Sequence, residues 1–283
     1  MRAGVIGTLP RVSTLRLPTV EQASRARGAF TAAEPFAHAV LHDVVAAPAD
    51  EVVDAFPPFE WDGWERFEDD YQHQKVYCAD IEAMPPAMAA ILQELNAPST
   101  LAALEALTGI DALIPDPYLE GGGMHGSGPG GVLTPHTDFH IYRRLGLYRV
   151  LNLIVYLNPD WPVGETGGGL GLFRPGEPEP AVVVPPTFGT CVVFRTDDRS
   201  RHGFVAPVPE GCYRRSVAVY YYTATEAPGF SGDTNTYWDD QPAGRGLARL
   251  RHRAYRALLF GSRGLSWLAH RANPRMRRSD PVP

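Results

Sequence analysis

The stretch RVLNLIVYLN, residues 149–158, is a run of β-branched and large apolar residues that indicates a buried strand. Similar short runs lie between clusters of Gly and Pro: GGLGLF (168–173), AVVVP (181–185), GTCVVF (189–194) and RRSVAVYYYT (214–223). No helix-length pattern interrupts the zone from about residue 112 to 223. Several short strands at close spacing predict an antiparallel sandwich, jelly roll or barrel rather than a βαβ sheet.

The flanking zones have helical patterns. In PPAMAAILQELN (85–96) the two prolines suit a first turn, and one face carries the apolar residues Met88, Ile91, Leu92 and Leu95. In STLAALEALTG (99–109), Ser99 or Thr100 can cap a second helix that Gly109 closes. We therefore expect one domain over 1–283, with mainly helical support in 1–111, a strand-rich core in 112–223 and a basic helical segment in 224–283.

Composition sets further limits. The 283 residues are 44% hydrophobic with a net charge of −6, and no apolar run approaches the ~20 residues of a membrane span. The N-terminus lacks the apolar region of a secretory signal, which favours a cytoplasmic location. The cysteines Cys78, Cys191 and Cys212 have no metal-binding spacing and are expected to be small hydrophobic residues. Lys75 is the only lysine beside 25 arginines, which hints at a GC-rich bacterial gene.

The sharpest local motif is PHTDFH (135–140), with His202 in RHGFVAPV (201–208) lying 64 residues after Asp138. A His-x-Asp pair at a strand end and a distant His on a facing strand can form a 2-His-1-carboxylate set. Such a set leaves coordination positions open on non-heme Fe(II), whereas structural zinc takes four closed ligands. The motif therefore predicts an iron site at His136, Asp138 and His202.

A strand arginine supports this interpretation. Arg214 lies 12 residues after His202, and the two-residue period of a strand places it on one face with Ser216, opposite Arg215. A buried arginine requires an anion, and its planar fork matches a carboxylate.

With these motifs in order, the sequence resembles the Fe(II)/2-oxoglutarate-dependent dioxygenases, in the branch similar to prolyl 4-hydroxylases. The resemblance runs through EPFAHAVLHDVV (34–45), LTGIDALIPDPYLEGGGMH (107–125), GGVLTPHTDF (130–139), YLNPDW (156–161), TGGGLGLF (166–173), RHGFVAPV and the RRS strand. It implies a mainly β fold with flanking helices, whose core is a double-stranded β-helix or jelly roll. It also implies Fe(II), 2-oxoglutarate and O2 as cofactor and cosubstrates, and leaves a need for ascorbate open.

The resemblance also assigns roles beyond the iron ligands. Arg214 looks like the cation that binds the distal carboxylate of 2-oxoglutarate, Tyr156 matches the position whose hydroxyl helps to hold it, and Ser216 is a weaker helper. The interval from His202 to Arg214 is slightly longer than usual for the family, so Arg215 is an alternative.

Three residues near the iron motif are candidates for substrate binding. These are His125 and His140, each with a structural reading of about equal weight, and Arg149, which reaches either the substrate or an acidic neighbour. The stretch GGGMHGSGPGG (121–131) has neither the lysine nor the placement of a nucleotide loop, and we expect it to form a mobile lid.

The implied reaction is hydroxylation of an unactivated C–H bond, with release of succinate and CO2. Asp138 occupies the position that halogenases leave to a halide, which ranks hydroxylation above chlorination, while desaturation or cyclisation stays open. The substrate is expected to be amino-acid-like, peptidyl or a biosynthetic small molecule. Two alternatives are a non-catalytic jelly-roll module that binds a carboxylate or sugar and an oxygen-independent cupin-like Zn or Mn enzyme.

The C-terminal 43 residues hold ten arginines and one acidic residue, while the rest of the chain has a net charge of −15. A basic segment of this kind can attract a carrier protein, but its apolar stripe (Leu258, Leu259, Leu265, Trp267 and Leu268) favours a helix packed on the acidic body. We expect neither a nucleic-acid partner nor a membrane, and the sequence leaves the oligomeric state open.

Overall fold

The computed structural model describes residues 14–162, 164–226 and 236–238, and eight single positions beyond them: 254, 257, 258, 261, 264, 265, 268 and 272. The chain divides into two compact units after Trp238. The described positions of the second unit are helical and exposed, Leu258 and Leu265 among them. Leu259 and Trp267 of the expected apolar stripe lie outside the described residues.

Within the first unit, helices and strands alternate before a long series of strands. The helices are α1 (Val20–Ala32), α2 (Ala49–Ala55), α3 (Pro86–Leu95) and α4 (Pro98–Thr108). The early strands are β1 (His38–Leu41), β2 (Glu65–Phe67), β3 (Gln72–Cys78), β4 (Ile114–Pro115), β5 (Gly123–Leu133), β6 (His136–Thr137) and β7 (Ile141–Tyr142). The later strands are β8 (Leu147–Tyr156), β9 (Leu170–Phe173), β10 (Pro180–Val184), β11 (Cys191–Arg195), β12 (Arg201–Phe204), β13 (Arg214–Thr223) and β14 (Tyr237–Trp238).

The strands form two antiparallel sheets. Among the described residues, the larger sheet has nine strands, with the order β1-β11-β8-β13-β5-β3-β2 and with β4 and β7 pairing at β13 and β8. The smaller sheet has the order β10-β9-β12-β6-β14. Two facing antiparallel sheets with helices outside are the predicted double-stranded β-helix.

The larger sheet has two different faces. Its outer face carries Val155, Val217 and Tyr221, which belong to the main hydrophobic cluster together with the buried side of α3. The Tyr221 hydroxyl donates to the backbone oxygen of Leu95 at the end of α3, 2.8 Å away. Its inner face, which carries Tyr156, Arg214 and the residues paired with them, faces the smaller sheet. The helices therefore support one face and leave the other for the site.

The two predicted helices are confirmed. α3 starts with proline at its first turn and buries Met88, Ile91, Leu92 and Leu95, as expected. α4 ends at Gly109, whose φ of 71° is the left-handed conformation that a C-cap requires. Its expected cap differs, because α4 begins at Pro98 and the Thr100 hydroxyl donates instead to the backbone oxygen of Glu94 at 2.6 Å. None of the helices among the described residues is long and apolar enough to cross a membrane.

The helical N-terminal zone also contributes strands β1, β2 and β3 to the larger sheet, which the sequence did not indicate. β1 and β2 have only four and three residues. β3 contains a register irregularity at Gln74, whose φ is 49°, so its side chains do not follow a simple two-residue alternation. Short strands and a bulged strand give little periodic signal.

The expected lid at 121–131 is wrong. Most of it is the start of β5, a strand between β13 and β3 in which residues 122–128 are buried. A Cβ on Gly123 would lie 2.1 Å from the backbone oxygen of Cys78, and one on Gly126 would lie 2.5 Å from the Tyr213 hydroxyl. The glycines therefore permit close packing between strands. A glycine-rich sequence by itself does not distinguish such a packed strand from a flexible loop.

Candidate active site

Two strands of the smaller sheet bring the predicted iron ligands together. His136 on β6 is the direct pairing partner of His202 on β12, and Asp138 follows β6 by one residue. Their ligand atoms all lie within 4.8 Å of one another, and all three residues are buried. Asp138 carboxylate oxygens lie 3.6 Å from Nε2 of His136 and 3.5 Å from Nε2 of His202. This is the donor set of a facial iron site.

A glycine allows this approach. A Cβ on Gly203, next to His202, would lie 2.7 Å from the backbone of Pro135, next to His136. Any larger residue at this position would push β12 away from β6, so Gly203 holds the two imidazole rings at a centroid distance of 4.6 Å.

Backbone carbonyls orient both histidines. Nδ1 of His136 lies 2.8 Å from the oxygen of Thr134, and Nδ1 of His202 lies 2.9 Å from the oxygen of Ser200. If each Nδ1 donates its proton there, each Nε2 presents a lone pair toward Asp138, as a metal requires. Burial lowers the pKa of His202 to about 4 despite the nearby Asp138, so the ring is neutral and ready to bind metal at neutral pH.

Two polar side chains of β8 hold Asp138. The Asn152 amide donates to Oδ2 of Asp138 at 2.6 Å, and the Arg149 guanidinium lies 3.1 Å from the same oxygen. Arg149 also donates from Nε to the Asn152 carbonyl at 2.8 Å, which closes a three-residue network. Burial alone would raise the pKa of Asp138, but Arg149 and the two histidines hold it well below its usual range. Asp138 is therefore a fixed carboxylate.

Arg149 reaches an acidic neighbour, one of the two options that the sequence left open. It is 1% exposed, and its guanidinium carbon lies 3.3 Å from the centre of the Tyr220 ring and 4.9 Å from that of Phe139. An ion pair enclosed by aromatic rings is shielded from water, which strengthens its electrostatic attraction.

Arg214 has a different environment. Its Nε donates to the backbone oxygen of Gly168 at 2.8 Å, and its Nη1 lies 3.3 Å from the Ser216 hydroxyl. Its guanidinium carbon lies 4.4 Å from the ring centre of Phe204, two residues after His202 on β12, which places it between the sheets beside the metal-ligand set. Among the described residues, no carboxylate pairs with this buried cation. Arg214 is thus matched to an anion from outside the chain.

Tyr156 completes this end of the site. The ring lies 4.9 Å from the Arg214 guanidinium carbon, and its buried hydroxyl interacts with that guanidinium but forms no hydrogen bond of good geometry among the described residues. Burial raises the pKa of Tyr156, so the hydroxyl keeps its proton and can donate. Arg215, the alternative to Arg214, lies on the opposite face of β13 and donates to the backbone oxygen of Tyr213 at 3.2 Å.

The other two candidates for substrate binding, His125 and His140, lie in different environments. His125 on β5 lies on the inner face beside Ser216, and its buried Nε2 has no hydrogen-bond partner among the described residues. His140 is fully buried with Nδ1 3.2 Å from Asp198, and its backbone oxygen accepts from the amide of Arg149. These contacts place His140 in the support of the metal-ligand set.

Three further site residues were missed in the sequence. Asn152 sits inside an apolar strand run, where a single polar residue was the available signal. Trp238 lies 4.6 Å from the His136 ring and stacks on Tyr71, but it comes 100 residues after Asp138 in a turn-rich stretch. Lys75 was noted only as an oddity of composition, yet it lies on the inner face of the larger sheet.

Residues 122–223 match the model of the 2OG-Fe(II) oxygenase superfamily. They contain His136, Asp138, His202, Tyr156 and Arg214, which the geometry above brings together between the two sheets. Residues 122–223 form a 2OG-Fe(II) oxygenase domain. This oxygenase accordingly uses Fe(II), 2-oxoglutarate and O2, and the donor set and the unpaired Arg214 fit the first two.

Solved structures share the fold. A prolyl-4-hydroxylase from Pseudomonas putida aligns with a TM-score of 0.50 at 16% identity, over 72% of this chain and 100% of that chain. A prolyl hydroxylase from Trichoplax adhaerens, in complex with a peptide of the hypoxia inducible factor oxygen degradation domain, aligns with a TM-score of 0.49 at 14% identity, over 72% and 90%. The epimerase SnoN in complex with Fe3+, alpha ketoglutarate and nogalamycin RO aligns with a TM-score of 0.49 at 16% identity, over 80% of this chain and 96% of that chain. A comparison with curated proteins gives no match.

Proposed function

We propose that this oxygenase hydroxylates an unactivated C–H bond of an amino-acid-like, peptidyl or biosynthetic small molecule, with His136, Asp138 and His202 as its iron ligands. The observation that carries the proposal is the unpaired Arg214 beside the buried Tyr156 hydroxyl, on the face that also meets the three ligand residues. A buried cation and a buried donor without an acid partner support a site for the distal carboxylate of 2-oxoglutarate.

The protein's own groups have separate tasks in this proposal. Arg214 and Tyr156 bind and orient the distal carboxylate, with Ser216 fixing the guanidinium from its other side. Asn152 and Arg149 hold Asp138 through Oδ2, which directs its other oxygen toward the metal position. When bound, Fe(II) with 2-oxoglutarate and O2 supplies the oxidant that replaces hydrogen by hydroxyl on the substrate, with release of succinate and CO2.

Hydroxylation is preferred to halogenation because the carboxylate position is filled and doubly anchored. A halide would have to displace Asp138 from both Arg149 and Asn152. Of the substrate contacts proposed from the sequence, we retain His125, because its Nε2 on the inner face has no hydrogen-bond partner among the described residues.

The remaining proposals concern the location of the enzyme, its biological role, its domain organisation and a partner. We place the enzyme in the bacterial cytoplasm and in a biosynthetic role, with 1–111 as support, 112–223 as catalytic core and 224–283 as a basic segment for which a carrier protein is one partner. They rest on the composition, the arginine bias and the charge of the tail. A pull-down with the chain and with a version truncated after Trp238 tests the carrier protein, since binding should depend on the tail.

An anaerobic titration with Fe(II) and then 2-oxoglutarate tests the central proposal. The chelate should give a visible charge-transfer band in the wild type and in His42→Ala, an exposed histidine used as a matched control. His136→Ala should give no band. A folded wild-type protein that binds metal without producing the band would contradict the proposal and favour the binding module or the oxygen-independent enzyme.

A further inference from the structure

Lys75, the only lysine of the chain, lies in the same row of the sheet as Arg214. Ser127 of β5 pairs directly with Arg214 on one side and with Lys75 of β3 on the other. Directly paired residues of antiparallel strands point to the same face. Lys75 therefore projects from the inner face, two strands away from the cation assigned to 2-oxoglutarate.

The bulge at Gln74 sets the direction of the Lys75 side chain. Gln72 and Lys75 are three residues apart and would point to opposite faces of a regular strand, but the irregularity between His73 and Lys75 lets Nζ donate to the Gln72 carbonyl at 3.1 Å. Gln72 is buried and pairs with Leu133, three residues before His136. The ammonium group is thus held at the Gln72 side chain, and Asp138 contributes to its electrostatic environment.

No acid neutralises this ammonium group. Among the described residues, no carboxylate lies within ion-pair distance of Nζ, whose other neighbour is the Phe67 ring at 5.1 Å. Burial and the charge of Arg214 lower the pKa of Lys75 to about 8, with Asp138 and Asp69 acting in the opposite direction. A cation kept in a partly desolvated place without a counter-ion costs stability, which is typical of a binding group.

A second unused group lies beside it. His125 occupies the neighbouring row of the inner face, next to Tyr77, whose ring is 6.2 Å from the imidazole. Burial, with Lys75 and Arg214 adding to it, keeps the pKa of His125 well below its usual range, so the ring is neutral. Its buried Nε2 has no partner. Lys75, His125 and Tyr77 thus place a positive charge, a ring nitrogen free to hydrogen-bond and an aromatic ring side by side on the inner face.

We propose that Lys75 binds a carboxylate of the substrate, and that His125 contacts a polar group next to that carboxylate. The inference rests on the proposed function and defines its substrate class as a molecule with a free carboxylate. A role for Lys75 in binding 2-oxoglutarate itself is the competing assignment, because Arg214 lies in the same row.

Because the chain has one lysine, amine acetylation followed by mass spectrometry measures Lys75 against the N-terminal amine in the same molecule. The protein is the anaerobic complex with Fe(II) and 2-oxoglutarate. The probes are free amino acids, N-acetyl amino acids and dipeptides, each tested beside its amide. We expect at least one acid to slow acetylation of Lys75 about tenfold or more at saturation, without affecting the N-terminal amine, and its amide to give no protection.

Substrate-stimulated succinate formation with the same probes gives the second measurement. Lys75→Met should raise the KM of the protecting acid about 10- to 100-fold, the usual effect of losing a hydrogen bond to a charged group. Lys75→Arg, which keeps the charge, should restore the preference for acid over amide. The charge-transfer band with 2-oxoglutarate should be the same in all three proteins.

The outcomes separate the two proposals. Absence of the band in the wild type would contradict the oxygenase assignment, whatever the labelling shows. With the band present, three results would overturn the Lys75 proposal: no acid protects at tens of millimolar, acid and amide protect equally, or 2-oxoglutarate alone protects Lys75 and loses affinity in Lys75→Met.

Discussion

Arg149 and Arg214 occupy similar positions and have opposite electrostatic environments. They lie on the paired strands β8 and β13, both are buried, and each packs its guanidinium on a tyrosine ring. Arg149 is 3.1 Å from Asp138, whereas the contacts of Arg214 among the described residues are with neutral groups, including the Gly168 backbone oxygen and the Ser216 hydroxyl. Both arginines are buried, so burial does not distinguish their roles. The presence of a paired carboxylate marks Arg149 as a structural residue, and its absence marks Arg214 as a ligand-binding residue.

The largest effect is expected at the paired arginine. Arg149→Met leaves Asp138 buried without its cation, and we expect the free energy of unfolding of the metal-free protein to fall by about 3–5 kcal/mol. Urea unfolding followed by circular dichroism measures it. Arg174→Met is the control, because its ion pair with Glu177 is exposed and contributes about 1 kcal/mol or less. Equal losses in both variants would show that Asp138 does not depend on Arg149.

The unpaired arginine should give the opposite pattern. Arg214→Met is expected to weaken 2-oxoglutarate binding about 100-fold or more, because a fork of charged hydrogen bonds is lost. The free energy of unfolding should stay the same or rise, because the variant no longer buries an uncompensated charge. Titration of the charge-transfer band and urea unfolding together check both parts. Arg215→Met, on the other face of β13, should leave 2-oxoglutarate affinity unchanged.

Tyr156→Phe should reduce 2-oxoglutarate affinity less than Arg214→Met does, because it removes a single neutral hydrogen-bond donor. Among the described residues the hydroxyl makes no good hydrogen bond besides its interaction with Arg214, so its removal should destabilise the fold little. We expect 2-oxoglutarate affinity to fall about tenfold or less, as for one hydrogen bond. A loss of stability without a loss of affinity would mean that the hydroxyl has a structural partner instead.

The Lys75 prediction concerns the effect of pH on stability. Its folded pKa of about 8 lies below the ordinary value of 10.5, so between these values the unfolded state holds a proton that the folded state has lost. Stability from this group therefore rises with pH across that window and is constant below it. The stability advantage of Lys75→Met over the wild type should shrink from pH 8 to pH 10. An advantage independent of pH would assign the effect to packing.

The sequence predicted what depends on local chemistry. His-x-Asp with a distant His indicated three residues that the fold brings together, and strand parity placed Arg214 and Ser216 together against Arg215, as observed for the side-chain contacts of all three. The strand RRSVAVYYYT has the bounds of β13. These features were readable because period-two patterning and ligand chemistry are properties of the residues themselves.

What failed depends on partners far away in sequence. Asn152 acquires its role from Asp138, 14 residues away, and the contact of His140 with Asp198 joins residues 58 positions apart. Lys75 acquires its position from a bulge and from strands more than 50 residues later. Contacts between residues that are far apart in the chain produce no periodic pattern in a single sequence. They can be identified only from the tertiary structure.

The glycine-rich strand β5 has a consequence for how the site is assembled during folding. Gly has a low tendency to remain extended by itself and loses more conformational freedom on folding than any other residue. β5 depends on β13, about 90 residues later in the chain, and on β3, about 50 residues earlier, for its backbone hydrogen bonds. Closing such distant pairs is slow. The segment of β5 that contains His125 and Ser127 should therefore form late, and pulse-labelling hydrogen exchange during refolding should find it among the last parts of the sheet to gain protection.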